Sequence, residues 1–109
     1  MSAIVQYFES ITGVNGIPRL VPDRFSLEQN YPNPFNPTTH FQFSLSSGQF
    51  VTLKIYDVLG KEIATLVDGE RNAGTYSVNW DASGLPSGVY FYRMKAGDFV
   101  DTKKLVLTK

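Results

Sequence analysis

Few side chains in this sequence have both the type and the spacing that chemistry needs. The single histidine, His40, is the natural acid–base group or metal ligand to weigh first. It falls between Thr39 and Phe41, on the opposite parity from Phe41 and Phe43, so a strand would turn it toward water as a solvated imidazole. Serines are frequent, but no Gly-x-Ser-x-Gly elbow occurs. Neither common glycine-rich phosphate loop is present. Asp57, Asp68, Asp81, Asp98 and Asp101 fall at expected strand ends, where aspartate accepts hydrogen bonds from nearby backbone N–H groups. A calcium site drawn from some of them is the alternative, although their spacing matches no EF-hand. Cysteine is absent, which removes thiolate nucleophiles, thiolate metal sites and disulfides. The chain is therefore expected to be no enzyme and to need no metal or cofactor.

The elements that would position these residues are strands. At 109 residues with 42% apolar and 14% aromatic side chains, the chain can build one real core. Ten basic and ten acidic residues cancel, so no strong field favours nucleic acid or an anionic membrane. No run approaches the roughly 20 apolar residues of a membrane helix. Phe41, Phe43 and Leu45 alternate with polar neighbours, as do Val51, Leu53 and Ile55, and then Tyr76, Val78 and Trp80. Residues 88–96 are apolar almost throughout, as a central strand is, and a last strand runs over about 99–107. Adding 26–29 and 62–67 makes seven candidates at sandwich spacing. Turn pairs separate them, among them Ser47-Gly48, Leu59-Gly60, Asp68-Gly69, Ala73-Gly74 and Gly97-Asp98.

The first 24 residues read differently. Ile4, Val5, Phe8 and Ile11 have helical spacing behind Ser2 as a cap, and residues 13–22 look like a Gly- and Pro-marked linker. The beginning is no secretory signal, since it lacks a basic n-region and Glu9 interrupts its apolar stretch. The expected division is an extension and linker over 1–24, the tail of a longer precursor, followed by one sandwich over 25–109.

Three local sequences stand out. In Asn30-Tyr31-Pro32-Asn33-Pro34-Phe35-Asn36-Pro37, the prolines fix φ three times and remove three donors. They predict a stiff extended crossing with Tyr31 and Phe35 plugged into the core, or else a proline-rich ligand for a partner. Trp80, the only tryptophan, predicts a core plug, while Tyr90 and Tyr92 predict a half-exposed face on which a sugar could stack. The end, Asp101-Thr102-Lys103-Lys104-Leu105-Val106-Leu107-Thr108-Lys109, predicts an amphipathic edge strand. Its lysines guard against stray pairing, and its edge could be offered to a receptor sheet.

These sequences together resemble one family. Leu27-Glu28-Gln29-Asn30-Tyr31-Pro32-Asn33-Pro34-Phe35-Asn36-Pro37-Thr38-Thr39 resembles the opening of type IX secretion system type A C-terminal sorting domains. Ile55-Tyr56-Asp57-Val58-Leu59-Gly60-Lys61-Glu62, followed by Thr65-Leu66-Val67, is similar to that family's middle motif. Leu85-Pro86-Ser87-Gly88-Val89-Tyr90 is similar to its Leu-Pro-x-Gly-x-Tyr motif, and Lys103-Lys104-Leu105-Val106-Leu107-Thr108-Lys109 to its terminal strand.

The resemblance implies a seven-stranded antiparallel immunoglobulin-like or fibronectin-like sandwich. It implies a passenger that enters the periplasm by its own signal peptide. The domain would then be read by an outer-membrane translocon and a β-barrel shuttle, and removed by a surface sortase within residues 13–24, leaving the passenger at the cell surface or outside. Gly88 would permit a close backbone approach, Tyr90 would anchor its strand, and Lys103, Lys104 and Lys109 would meet acidic or carbonyl groups of the receptor. Pro32, Pro34, Phe35, Pro37, Gly60 and Trp80 would be the structural residues of the motifs. Two alternatives stand beside it: an assembly module like the immunoglobulin-like domain of flagellar hook-capping proteins, and a carbohydrate-binding accessory domain.

Overall fold

The computed structural model describes residues 21–109. The expected helix over 2–11 and most of the expected linker lie outside them. Seven strands follow one another: β1 (Ser26–Leu27), β2 (Thr38–Leu45), β3 (Gln49–Tyr56), β4 (Glu62–Arg71), β5 (Gly74–Asp81), β6 (Gly88–Ala96) and β7 (Phe99–Leu107). They form a three-stranded sheet in the order β1-β2-β5 and a four-stranded sheet in the order β4-β3-β6-β7, antiparallel throughout. The expected immunoglobulin-like β-sandwich is the fold.

Period-two patterning explains the core. Thr39, Phe41, Phe43 and Leu45 of β2 point inward and their neighbours outward. Val51, Leu53 and Ile55 of β3 meet them from the other sheet, with Tyr90, Tyr92, Met94 and Ala96 of β6 and Leu105 and Leu107 of β7. Tyr92 sits edge-on to Phe41 at 4.7 Å between centroids, and Tyr76 stacks on Phe43 at 5.2 Å. Tyr76, Val78 and Trp80 alternate as cleanly as β2 does, yet they are only half-buried. β5 is an edge strand, so its inward side chains have core on one flank only.

β4 departs from expectation. Asp68-Gly69 is no turn: β4 continues through it to Arg71, and Asp68 and Gly69 pair with Thr52 and Val51. An Asp-Gly pair signals a hairpin when its glycine takes positive φ, and Gly69 is not among the positive-φ glycines. The chain reverses at Asn72 and Ala73 instead. β4 also carries register shifts opposite Leu53/Lys54 and Ile55/Tyr56, which make it a poor template for further pairing.

The β3–β4 turn is tightly held. Asp57 Oδ1 accepts from Leu59 N and Lys61 N, both at 2.9 Å, and backbone bonds join Asp57 N to Lys61 O and Gly60 N to Asp57 O, both at 3.0 Å. Gly60 has φ 84°, and nothing lies within 4 Å of where its Cβ would be. Only backbone strain therefore opposes a side chain there. Gly60→Val is expected to cost about 1–2 kcal/mol, and Gly60→Asn less, because asparagine tolerates the left-handed region. Thermal melts of the two variants check the order, and identical melts would refute it.

Candidate recognition pole

The motif residues gather at one end of the sandwich. Tyr56 pairs with Phe91, so the β3–β4 turn lies beyond the start of β6. Gly88 at that start pairs with Leu107 near the end of β7. The segment between β1 and β2 crosses the same end, and so does the loop from β5 to β6. The chain before β1 is at the opposite end: Ser26 pairs with Ser44, and Phe25 meets Phe99 edge-on at 5.9 Å. Strands of this length separate the two poles by roughly 25–30 Å.

The proline segment builds this pole by capping β7. Its three X-Pro bonds, at Pro32, Pro34 and Pro37, are cis, and it makes the expected crossing from one sheet to the other, with Tyr31 bridged to His40 of β2 and Phe35 to Leu107 of β7. Phe35 is 1% exposed and packs 5.9 Å from the ring of Trp80. Tyr31 does not join it: it is 71% exposed. The reason is register. Tyr31 and His40 exchange backbone bonds of 3.0 Å, and His40 is on the solvent face of β2, so its cross-strand partner faces solvent too. The tyrosine ring lies tilted over the imidazole, 5.9 Å away.

Asn30, one residue earlier, therefore turns inward, where it is 2% exposed. Proline-rich backbone lacks donors, and side chains supply them. Asn30 Nδ2 donates to Pro32 O at 3.1 Å and to Thr39 Oγ1 at 3.0 Å, and Thr39 Oγ1 donates to Pro32 O at 2.9 Å. Asn30 N donates to the Tyr92 hydroxyl, which donates to Glu28 O, both at 2.8 Å. Sequence reasoning missed this buried network, because Asn and Thr in a proline-marked stretch carry no periodic signal.

The cap changes what the terminal strand can offer. Phe35 N donates to Val106 O, and Thr108 N to Phe35 O, both at 2.9 Å. Val106 N donates to Asn33 Oδ1 at 3.0 Å, and Gln29 Nε2 to Lys104 O at 2.8 Å. The outer edge of β7, expected to be open for a receptor strand, is thus occupied from Lys104 to Thr108. Among the described residues, the outward backbone around Val100 and Thr102 has no such partner.

The sequence-predicted recognition residues divide accordingly. Lys104 is exposed on the outer face of the four-stranded sheet. Lys103 is half-buried on the other face and pairs with Asp101 at 3.6 Å. Lys109 Nζ donates to Ser83 O at 2.9 Å, which ties the end of the chain to the β5–β6 loop. Tyr90 is buried, and its hydroxyl donates to Pro86 O at 2.6 Å. Gly88 has φ 151° with nothing within 4 Å of a Cβ position, so backbone conformation requires glycine there, not a close approach within the domain. Trp80 is half-buried, not a full core plug, with Phe35 and Phe41 beside it. The half-exposed tyrosine face does not exist: Tyr90 and Tyr92 are both core residues.

Three of the five aspartates named from the sequence are engaged locally. Asp57 holds its own turn, Asp101 pairs with Lys103, and the Asp81 pKa is lowered first by the Ser83 side chain and then by Ser83 N, which donates to it at 2.9 Å. Among the described residues, no three of His, Cys, Asp and Glu converge as a metal site would require.

The secretion system C-terminal sorting domain model matches residues 29–108, from the start of the cap to the residue it bonds last. The chain belongs to this family. The sorting domain is thus a type IX C-terminal sorting signal, and the match takes in the pole and both sheets. Among solved structures, the sorting domain is similar to part of PorZ of Porphyromonas gingivalis, described as an essential bacterial surface component of the type IX secretion system. The identity is 20% and the TM-score 0.49, over 80% of this chain and 12% of that one. The chain thus spans about an eighth of PorZ's length. No curated protein matches it in sequence.

Proposed function

We propose that this sandwich works without catalysis, as a folded label that carries an attached passenger across the outer membrane. The observation that carries the reading is the match over residues 29–108, whose motifs converge on one pole while the chain enters at the other. A passenger joined before β1 would leave the motif pole clear. An outer-membrane translocon and a β-barrel shuttle would read that pole, during transit through the periplasm. A surface sortase would then cut within residues 13–24, and the passenger would stay at the surface or leave the cell. Because the cap holds the outer edge of β7 from Lys104 to Thr108, reading goes through side chains of the pole, not through an added strand.

The test is a fusion of the whole chain to a periplasmically targeted fluorescent protein, in a bacterium with this secretion system. Fluorescence on the surface or in the medium is expected, and retention in the periplasm overturns the reading. Deleting residues 103–109 would also remove Leu105 and Leu107 from the core. A Lys104→Glu, Lys109→Glu double variant asks the question without unfolding the domain, and reduced export is expected.

A further inference from the structure

The outer face of the four-stranded sheet is unevenly built. Near the motif pole its rows are apolar: Tyr56 lies beside Phe91, and Val89 beside Val106. Val89 is 36% exposed, and the other three are half-buried. The β3–β4 turn continues this strip past the end of the sheet with Val58, 65% exposed, and Leu59, 89% exposed. Isolated exposed apolar residues need no explanation, but a contiguous strip with a protruding tip does.

Leu59 takes no part in the core of its own domain. Its backbone is nevertheless fixed by Asp57, whose carboxylate accepts from Leu59 N and Lys61 N at 2.9 Å. The side chain is held out on a rigid turn, so little ordering entropy would oppose its burial in a partner.

The charges around the strip are mostly positive, the acids being Glu62, cross-strand from Tyr56, and Asp57, whose carboxylate is taken up by the turn itself. Arg93 lies over the Tyr56 ring at 5.2 Å, and Lys104 is the cross-strand neighbour of Phe91. Lys61 follows the tip. Lys54 is neutralised by Glu62 at 3.2 Å, whereas Lys61 and Lys104 have no ion-pair partner among the described residues. The acids Asp68 and Glu70 of the same sheet sit toward the opposite pole, across from Thr52 and Phe50. A chain of zero formal net charge therefore presents a cationic rim around an apolar strip at one end.

We infer that this strip, with Leu59 as its anchor, is the docking surface for a protein of the export machinery. That protein would offer an apolar pocket rimmed by carboxylates. Aromatic and arginine side chains on a flat, partly buried face suit a protein interface. A bilayer would instead need side chains free to insert, and Tyr56, Phe91 and Val106 are held in the sheet. The inference rests on the sorting reading and names which face of the domain is read.

The test uses the whole chain fused to the periplasmically targeted fluorescent reporter, with Leu59→Asp and a Lys61→Glu, Lys104→Glu double variant. The purified domains should melt with the wild type, since all three residues are exposed. Export is expected to fall about tenfold or more with Leu59→Asp, the loss typical of a buried anchor, and severalfold with the charge reversal. If the wild-type fusion is exported and Leu59→Asp travels equally well, the docking surface is wrong while the sorting reading stands. If the wild-type fusion stays in the periplasm, the sorting reading itself falls. Flotation with vesicles of anionic phospholipid separates the remaining case: wild-type binding that Leu59→Asp abolishes would overturn the protein partner in favour of a lipid surface.

Discussion

Replacing Phe35 with alanine is expected to cost the domain about 3–5 kcal/mol, the usual range for truncating a buried phenylalanine. A domain of this size typically has only about 5–15 kcal/mol in hand, so the variant would be marginal. The side chain is 1% exposed and lies 5.9 Å from Trp80, and its backbone N–H and C=O hold Val106 and Thr108. Losing the ring therefore removes core volume and loosens the cap in one step. Urea unfolding followed by Trp80 emission measures the cost. Hydrogen exchange at Val106 N and Thr108 N reports the cap, and both amides should lose protection at denaturant levels where the β3–β6 ladder still holds. Tyr31→Ala is the matched control. Tyr31 is 71% exposed, and the change should cost no more than about 0.5 kcal/mol, as surface substitutions do. Equal losses at the two positions would mean that Phe35 does not seat the cap.

That contrast also marks where the sequence could be read and where it could not. Two aromatic residues in one proline-rich segment look alike in one dimension. What separates them is pairing: Tyr31 opposes the outward-facing His40, while Phe35 lies against β7. Alternation located β2 and β3, because one face of each is fully buried. It could not tell that β5 is an edge, because an edge strand alternates in the same way and only its neighbours decide how much is covered. Asp68-Gly69 misled for a related reason, since the ladder to β3 continues through it. The lysine-bearing terminal strand was legible as a strand and misread as an open edge. Its closure depends on Asn33, Phe35 and Gln29, about 70 residues away in sequence, and no local signal carries such a bond. The exposed Leu59 stood inside a recognisable motif, but its exposure follows from the Asp57 clamp and emerges only in three dimensions.

The second large effect is expected at Tyr92. Its phenol is buried, and burial pushes its pKa up to about 12 from an ordinary value of 10, against the backbone N–H of Asn30, which favours the phenolate. The folded state holds this proton where the unfolded chain has released it. Stability from this group is therefore complete below pH 10 and declines as pH rises toward about 12, at roughly 1.4 kcal/mol per pH unit for one proton. Tyr92→Phe removes the proton and both hydrogen bonds, and leaves the buried Asn30 N–H without its acceptor. At neutral pH the variant should be less stable by about 1–3 kcal/mol, the cost of an orphaned buried donor. It should also lack the alkaline decline that belongs to this phenol. The gap between wild type and variant should then stay constant below pH 10 and close above it. Taking the difference cancels the titration of the lysines and of the other five tyrosines, which both proteins share. Urea midpoints collected between pH 7 and 11.5 measure the gap directly. A gap that stays the same across that range would show that the fold does not hold the Tyr92 proton more tightly than the unfolded chain does.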